Sequence, residues 1–373
     1  MSTPPNTREL ATAADREAID DRHVASFETI PSPAELREEL PTTEAMSHTV
    51  NRGRAELAAA LRGQDDRMVV VVGPCSIHDP EQARDYARRL WELAEAHRDE
   101  LIVVMRTYFE KPRTSIGWKG LIYDPGLDGS SDASRGLRSA RKVLLDVTEV
   151  GLPCAVEVLD TITPQYQTDL VAWAAIGART VESQVHRQLA SGLSMPIGFK
   201  NGTDGSLGGA TNALSAAVAP HAFFGIDGLG RTTVVRTTGN PDVHVVLRGG
   251  SHGPNFDAET VAEAAASARE VTGHRRPVMV DCSHGNSGKD HRRQSVVLDD
   301  VLSQWRASGG HGLLGIMLES NLAAGRQDWR PDQELAHGVS ITDACVGWDE
   351  TVELLERCAR TVAEVRQAGT GTT

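Results

Sequence analysis

Apolar runs of strand length return along this chain with helix-forming stretches between them, and that alternation limits the fold more than any other feature. The runs fall at 68–72, 101–106, 155–159, 174–180, 196–200, 243–248, 277–282 and 313–319. They are almost continuously apolar, as strands covered on both faces are. Helix signals fill the gaps. Asp79 can cap a helix that has Pro80 at its first position, and Tyr86, Leu90, Leu93 and Ala94 form its apolar stripe. Leu137, Ala140, Leu144, Val147 and Val150 make a second stripe that stops at Gly151. Eight such strands in 373 residues predict an α/β chain closed into a (β/α)8 barrel rather than an open doubly wound sheet. No Gly-x-Gly-x-x-Gly opens the first strand–helix unit, which weakens a dinucleotide-binding alternative.

Two segments stand outside the repeat. Residues 222–226 and 232–237 flank Asp227-Gly228-Leu229-Gly230 and read as a β-hairpin inserted at about 222–237. Near the N-terminus, Ile30-Pro31-Ser32-Pro33 interrupts any helix. Only 47–61 carries a helical stripe there, through Val50, Ala55, Leu57, Ala58 and Leu61. Residues 1–50 hold too little apolar surface for a core of their own. They are expected to be an extension packed on a barrel formed by 51–373, serving regulation or oligomerisation.

The strand ends carry the chemistry. Residues 103–114 run from a buried strand into a loop with Arg106, Lys111 and Arg113, and Pro112 keeps Lys111 extended. Arg179, Lys200 and Arg248 end the fourth, fifth and sixth strands, while Glu157 and Asp160 end the third. A (β/α)8 barrel gathers such residues on one face, where its active site lies. A single arginine at a strand end is commonly a salt-bridge partner. Several cations brought together repel one another unless anions bind among them. The set therefore reads as a site for one or two phosphates plus a carboxylate.

The net charge of −13 sharpens this reading, because basic residues clustered inside an acidic chain imply a focused anion pocket. It also argues against a nucleic-acid partner, which needs a broad basic surface. No apolar stretch approaches the ~18 residues of a membrane span, and residues 1–17 lack the apolar centre of a secretory signal. Five cysteines without CxxC spacing fit a reduced, cytoplasmic setting.

Cys75, His284, Glu319 and Asp343 form a second constellation. A thiolate, an imidazole and two carboxylates can hold one divalent metal ion such as Mn, Fe, Co or Zn. Each also has a plainer reading: packing for Cys75, a loop hydrogen bond for His284, a helix cap for Asp343. Their separation has no diagnostic spacing. Barrel closure favours the joint reading, since it sets the eighth strand beside the first.

Longer motifs narrow the field further. They include Gly73-Pro74-Cys75-Ser76-Ile77-His78-Asp79-Pro80, the stretch from Arg106 to Pro125, Gly177-Ala178-Arg179-Thr180 and Glu182-Ser183-Gln184-Val185-His186-Arg187. Gly198-Phe199-Lys200-Asn201-Gly202-Thr203-Asp204-Gly205, Leu247-Arg248-Gly249-Gly250, Asp281-Cys282-Ser283-His284-Gly285-Asn286-Ser287, Glu319-Ser320-Asn321-Leu322 and Ser340-Ile341-Thr342-Asp343-Ala344-Cys345 continue them. Over about residues 17–367 the chain resembles the feedback-regulated type I 3-deoxy-D-arabino-heptulosonate 7-phosphate (DAHP) synthases. The resemblance implies a TIM-barrel transferase that condenses phosphoenolpyruvate with erythrose 4-phosphate and water, giving DAHP and phosphate. That is the first step of the shikimate pathway, leading to chorismate and the aromatic amino acids.

By the same resemblance, Cys75, His284, Glu319 and Asp343 are metal ligands, and Lys111 stands with Cys75 and His284 at the chemistry. Arg106, Lys111, Arg179, Lys200 and Arg248 correspond to phosphoenolpyruvate-binding cations, while Arg113 and Thr114 correspond to residues at the phosphate of erythrose 4-phosphate. The family also implies an aromatic amino acid effector and a homodimer or homotetramer. Asp20 and Asp21 would meet the effector's ammonium, and Leu189, Leu193, Ser194, Phe223 and Val235 would surround its ring. Gly225 stands where phenylalanine-sensitive members often have Ser, which tilts the expectation towards tyrosine. Thr161 replaces a Met of some members, and Tyr123 replaces a common Asn.

Overall fold

A computed structural model describes residues 20–113, 117–330 and 334–370. Eight parallel strands close into a barrel: β1 (Met68–Gly73), β2 (Leu101–Arg106), β3 (Cys154–Val158), β4 (Trp173–Ile176), β5 (Ile197–Lys200), then β8 (Val243–Leu247), β9 (Val278–Asp281) and β10 (Leu313–Glu319). β1 pairs with β10 in a register that sets Gly73 opposite Glu319, which completes the circle. The intervening β6 (Ala222–Ile226) and β7 (Thr232–Arg236) form the separate antiparallel hairpin.

All six residues of β1 are buried, and their alternation divides two cores. Val70 and Val72 pack outward with Tyr86 and Leu90 of α3 (Pro80–Ala96), whereas Val69 and Val71 join Ile102, Val104, Trp173, Met279 and Met317 inside the barrel. This period of two on a doubly covered sheet explains why the runs look uniformly apolar. Leu57, Ala60 and Leu61 of α2 (Glu44–Arg62) belong to the inner cluster, so α2 closes the N-terminal end of the barrel. Truncating Leu57, 1% exposed, to Ala costs about 2–5 kcal/mol of stability. With that end closed, a cavity is left at the opposite one.

The expected strands match the observed ones closely except at 174–180. β4 stops at Ile176 because the Gly177 carbonyl accepts the N–H groups of Thr180 and Val181, which turns the chain. Arg179 therefore lies in a turn beyond the strand. Helix α2 also starts three residues before the expected 47, where Thr43 caps it by accepting the Met46 N–H.

The chain divides into two compact units between Pro31 and Ser32. The described part of the smaller unit, residues 20–31, forms no helix or strand. Its Val24 N–H donates to the Asp21 carbonyl, and Asp21 takes a positive φ of 53°. In the larger unit, α1 (Pro33–Glu39) meets the hairpin tip through a 2.7 Å bond from the Ala34 N–H to the Gly228 carbonyl. No helix among the described residues is long and apolar enough to cross a membrane.

Candidate active site

The C-terminal ends of the strands surround a cavity of about 580 Å³. Arg106, Lys111, Arg113, Arg179, Lys200 and Arg248 all line it, together with His284 and Asp343. Cys75 and Glu319, 0% and 2% exposed, lie behind that lining, against Lys111 and Arg106 respectively. Thr114 lies outside the described residues.

Backbone geometry makes the convergence possible. Gly73 ends β1 at φ 151°, and a Cβ there would come within 3.0 Å of the Arg106 carbonyl oxygen. Gly250, after β8, has no room for a side chain either: a Cβ would meet the Gly205 nitrogen at 2.1 Å. The loops after β5 and β8 thus touch backbone to backbone, which brings Lys200 and Arg248 together.

The cations differ in how they are held. Arg106 is fully buried; its Nη2 lies 3.1 Å from Glu319 Oε1, its Nε donates to the Pro74 carbonyl, and its guanidinium stacks 4.0 Å from the Tyr108 ring centroid. Lys200 Nζ sits 2.9 Å from Glu157 Oε2. Burial would raise the Glu157 pKa, but Lys200 overrides it and brings it down to about 2. The Arg248 N–H donates to Asn201 Oδ1 at 2.8 Å, and Arg113 Nε donates to the Trp118 carbonyl at 2.8 Å.

Lys111 points into the second constellation, with Nζ 3.0 Å from Cys75 Sγ. Burial would lower its pKa, yet Cys75 and Glu319 hold it raised. One ligand atom each from Cys75, Glu319 and Asp343 lies within 4.8 Å of the others. His284 Nε2 approaches Glu319 Oε1 at 3.6 Å, while its Nδ1 faces Asp281 Oδ2 at 2.9 Å and Ser283 Oγ at 2.7 Å. That second contact fixes the ring, as outer partners of ligating histidines do. Burial and then Glu319 push the Cys75 thiol up to about 12.

Three contributors were not singled out from sequence. Lys289 lines the cavity from a turn with φ 63°, Asp281 orients His284, and Tyr108 supports Arg106. Lys289 sits among Gly, Ser and Asn residues with no periodicity to mark it. For Asp281, the signal was its place as the one charged residue inside the apolar run 277–282.

The effector residues are placed as follows. Leu189 is buried near the end of α6 (Gln184–Ala190); Leu193 and Phe223 are half-buried against the same core, and Ser194 is exposed. Phe223 pairs with Val235 across the hairpin, and a Cβ on Gly225 would lie 3.0 Å from Val235 Cγ2. A 2.6 Å contact between the hydroxyls of Ser191 and Thr237 ties the end of α6 to the hairpin. Asp20 and Asp21 are exposed in the smaller unit.

A closed parallel barrel with cations converging on one cavity beside an acid–thiol–imidazole cluster defines an enzyme of polyanionic substrates. The model of the DAHP synthetase I family matches residues 43–356. The Phe-sensitive phospho-2-dehydro-3-deoxyheptonate aldolase of Escherichia coli K12 is 50% identical over 92% of this chain and 97% of its own, and the Tyr-sensitive one is 49% identical over 91% and 95%. The phospho-2-dehydro-3-deoxyheptonate aldolase of Corynebacterium glutamicum ATCC 13032 is 48% identical over 99% and 100%. The solved structure of the phospho-2-dehydro-3-deoxyheptonate aldolase from Francisella tularensis SCHU S4 superposes with a TM-score of 0.89 at 48% identity, covering 92% of this chain and 99% of that one. The chain belongs to the DAHP synthetase I family. As an enzyme it is a 3-deoxy-7-phosphoheptulonate synthase of the shikimate pathway.

Proposed function

We propose that phosphoenolpyruvate, erythrose 4-phosphate and water react at this barrel mouth, with one divalent metal ion held by Cys75, His284, Glu319 and Asp343. The observation that carries the reading is the juxtaposition of two site types: cations lining one cavity, and a Cys75, Glu319 and Asp343 group that reaches that cavity through Asp343, with His284 also in its lining. The donor set fits such an ion. A buried thiol raised by neighbouring carboxylates ionises readily only beside a cation, and a dication there stabilises thiolate and carboxylates together. When bound, the ion supplies Lewis acidity towards the aldehyde oxygen.

The chain's own residues supply the rest. Arg106, Lys111, Arg179, Lys200 and Arg248 bind and orient the phosphate and carboxylate of phosphoenolpyruvate, and Arg113 and Thr114 hold the phosphate of the aldehyde. Neutralising both anions lets two reactants of like charge share one cavity. Lys111 donates a proton to the oxygen of the former aldehyde as the carbon–carbon bond forms. Water adds at C2 of the enol, and the resulting phosphohemiketal loses phosphate.

Regulation follows the inner face of the hairpin. Leu189, Leu193, Ser194, Phe223 and Val235 form the ring pocket of an aromatic effector. The small Gly225 leaves space for a phenol hydroxyl, which favours tyrosine. The enzyme works in the cytoplasm as a homodimer or homotetramer.

These proposals share one set of assays. Phosphoenolpyruvate disappears only with erythrose 4-phosphate present, chelation stops turnover, and Cys75→Ser loses the bound metal as measured by elemental analysis. Full turnover of metal-free enzyme would refute the metal assignment. Tyrosine inhibits more strongly than phenylalanine; inhibition by phenylalanine alone would overturn the effector.

A further inference from the structure

Beneath the loop that carries Lys111 and Arg113 lies an ionisable cluster that the proposed chemistry leaves unused. Glu110, only 5% exposed, accepts the Thr163 hydroxyl on Oε2 at 3.0 Å, while its Oε1 is enclosed without a hydrogen bond of normal geometry, although the Asp160 N–H and the Tyr123 hydroxyl face the carboxyl. Asp160, in the turn after β3, accepts the N–H groups of Ile162 and Thr163 at 2.6 and 3.3 Å. The Tyr123 hydroxyl donates to Asp160 Oδ2 at 3.0 Å and also faces Glu110. Two carboxyls and a phenol from separate segments thus meet around the buried Glu110, with Tyr123 and Asp160 half-buried.

The charges around that point do not balance. From its own loop, Glu110 has Lys111, whose Nζ is turned to Cys75, and Tyr123, over whose ring Lys119 sits at 5.9 Å. From β3 and its turn come Glu157, already paired with Lys200, and Asp160. Helix α5 (Pro164–Gln167) adds the neutral Gln167. Among the described residues, neither Glu110 nor Asp160 has an ion-pair partner. A buried carboxylate with one poorly satisfied oxygen beside a second carboxylate is unfavourable, whereas a protonated carboxyl fits. Burial first and Asp160 second push Glu110 up to about 8.

The loop's course turns this local fact into a positioning device. The Lys111 N–H donates to the Lys119 carbonyl, so the chain doubles back just after Glu110. Glu110 then ties the doubled loop to the 160–163 turn through Thr163. We propose that Glu110 is a positioning residue for the second substrate, its protonated carboxyl clamping the loop of Lys111 and Arg113 onto the turn after β3. Loss of that proton to solvent sets two carboxylates against each other and loosens the clamp. Tyr123 tunes it by giving Asp160 a hydroxyl donor. The inference rests on the reading that Arg113 holds the phosphate of erythrose 4-phosphate.

The test is kcat/KM for erythrose 4-phosphate from pH 7 to 9. In the wild-type enzyme it falls about ten-fold, as expected for one essential group titrating near 8. Glu110→Gln keeps the neutral shape at every pH and flattens that fall. Asp160→Asn retains the acceptor for the turn but removes the facing charge, so the fall moves to lower pH. A Glu110→Gln profile that follows the wild type, or an unmoved midpoint in Asp160→Asn, overturns the clamp. A normal KM for erythrose 4-phosphate in Arg113→Ala brings down the loop assignment and the inference with it. An impaired Arg113→Ala beside a wild-type-like Glu110→Gln overturns the inference alone.

Discussion

The cations at the strand ends and those on the loops face one cavity under opposite conditions. Arg106 and Lys200 leave β2 and β5 almost wholly buried, each already against a carboxylate, Glu319 at 3.1 Å and Glu157 at 2.9 Å. Arg113 and Lys289 are exposed, and Arg113 is held by a backbone carbonyl of its own loop. The strand-end pairs are fixed before a ligand arrives, because an unpaired charge could not be buried there. Loop cations need no counter-charge, since water solvates them, and they are free to follow a substrate. Preorganised walls suit the substrate that must be oriented for attack; exposed cations suit capture of the second.

Breaking a wall pair should have the largest effect. Arg106→Ala leaves Glu319 buried without its partner, costing about 3–5 kcal/mol in denaturant unfolding, and turnover falls by at least about 10³-fold. Unfolding at the wild-type denaturant concentration would show that the pair holds nothing.

Lys200→Ala comes next, with about 2–4 kcal/mol lost. Its pH signature follows from Glu157, which titrates near 2 in the folded enzyme against an ordinary value of 4.5. Stability from that depressed carboxyl is present above about pH 4.5 and is lost as pH falls towards 2. The stability gap between wild type and Lys200→Ala therefore narrows over that window, as acid-unfolding curves would register. A gap independent of pH would mean the pair is not the cause.

The loop side responds more weakly. Arg113→Ala raises KM for erythrose 4-phosphate by about ten-fold, roughly 1.4 kcal/mol, and leaves unfolding within about 0.5 kcal/mol of wild type. Lys289→Ala changes KM by only about two- to three-fold, and added salt erases the difference because exposed charges are screened. A salt-insensitive loss in Lys289→Ala would move that residue to the wall class.

The same division explains what could be read from sequence. Arg106, Lys200 and Glu319 close apolar runs, so their burial and their place on one barrel face were visible in the pattern of residues. β10 has the expected ends, since a fully buried strand gives an unbroken apolar run. Turns carry no such period. Lys289 and the true place of Arg179 depend on backbone turns, at Gly177 and after His284, that no repeat announces. Helix α2 was legible as an amphipathic stripe, but not as the plug of the barrel, because a stripe does not say what it faces. Tyr123 was visible as a departure; its partner Asp160, 37 residues away, became visible only in the folded chain.

Steady-state KM values for both substrates in Lys200→Ala and Arg113→Ala, determined side by side, test the separation of wall from loop most directly. Separate roles predict that Lys200→Ala raises KM for phosphoenolpyruvate by about 10²-fold with little change for erythrose 4-phosphate, and that Arg113→Ala does the reverse by about ten-fold. Both constants rising together in Arg113→Ala would contradict it.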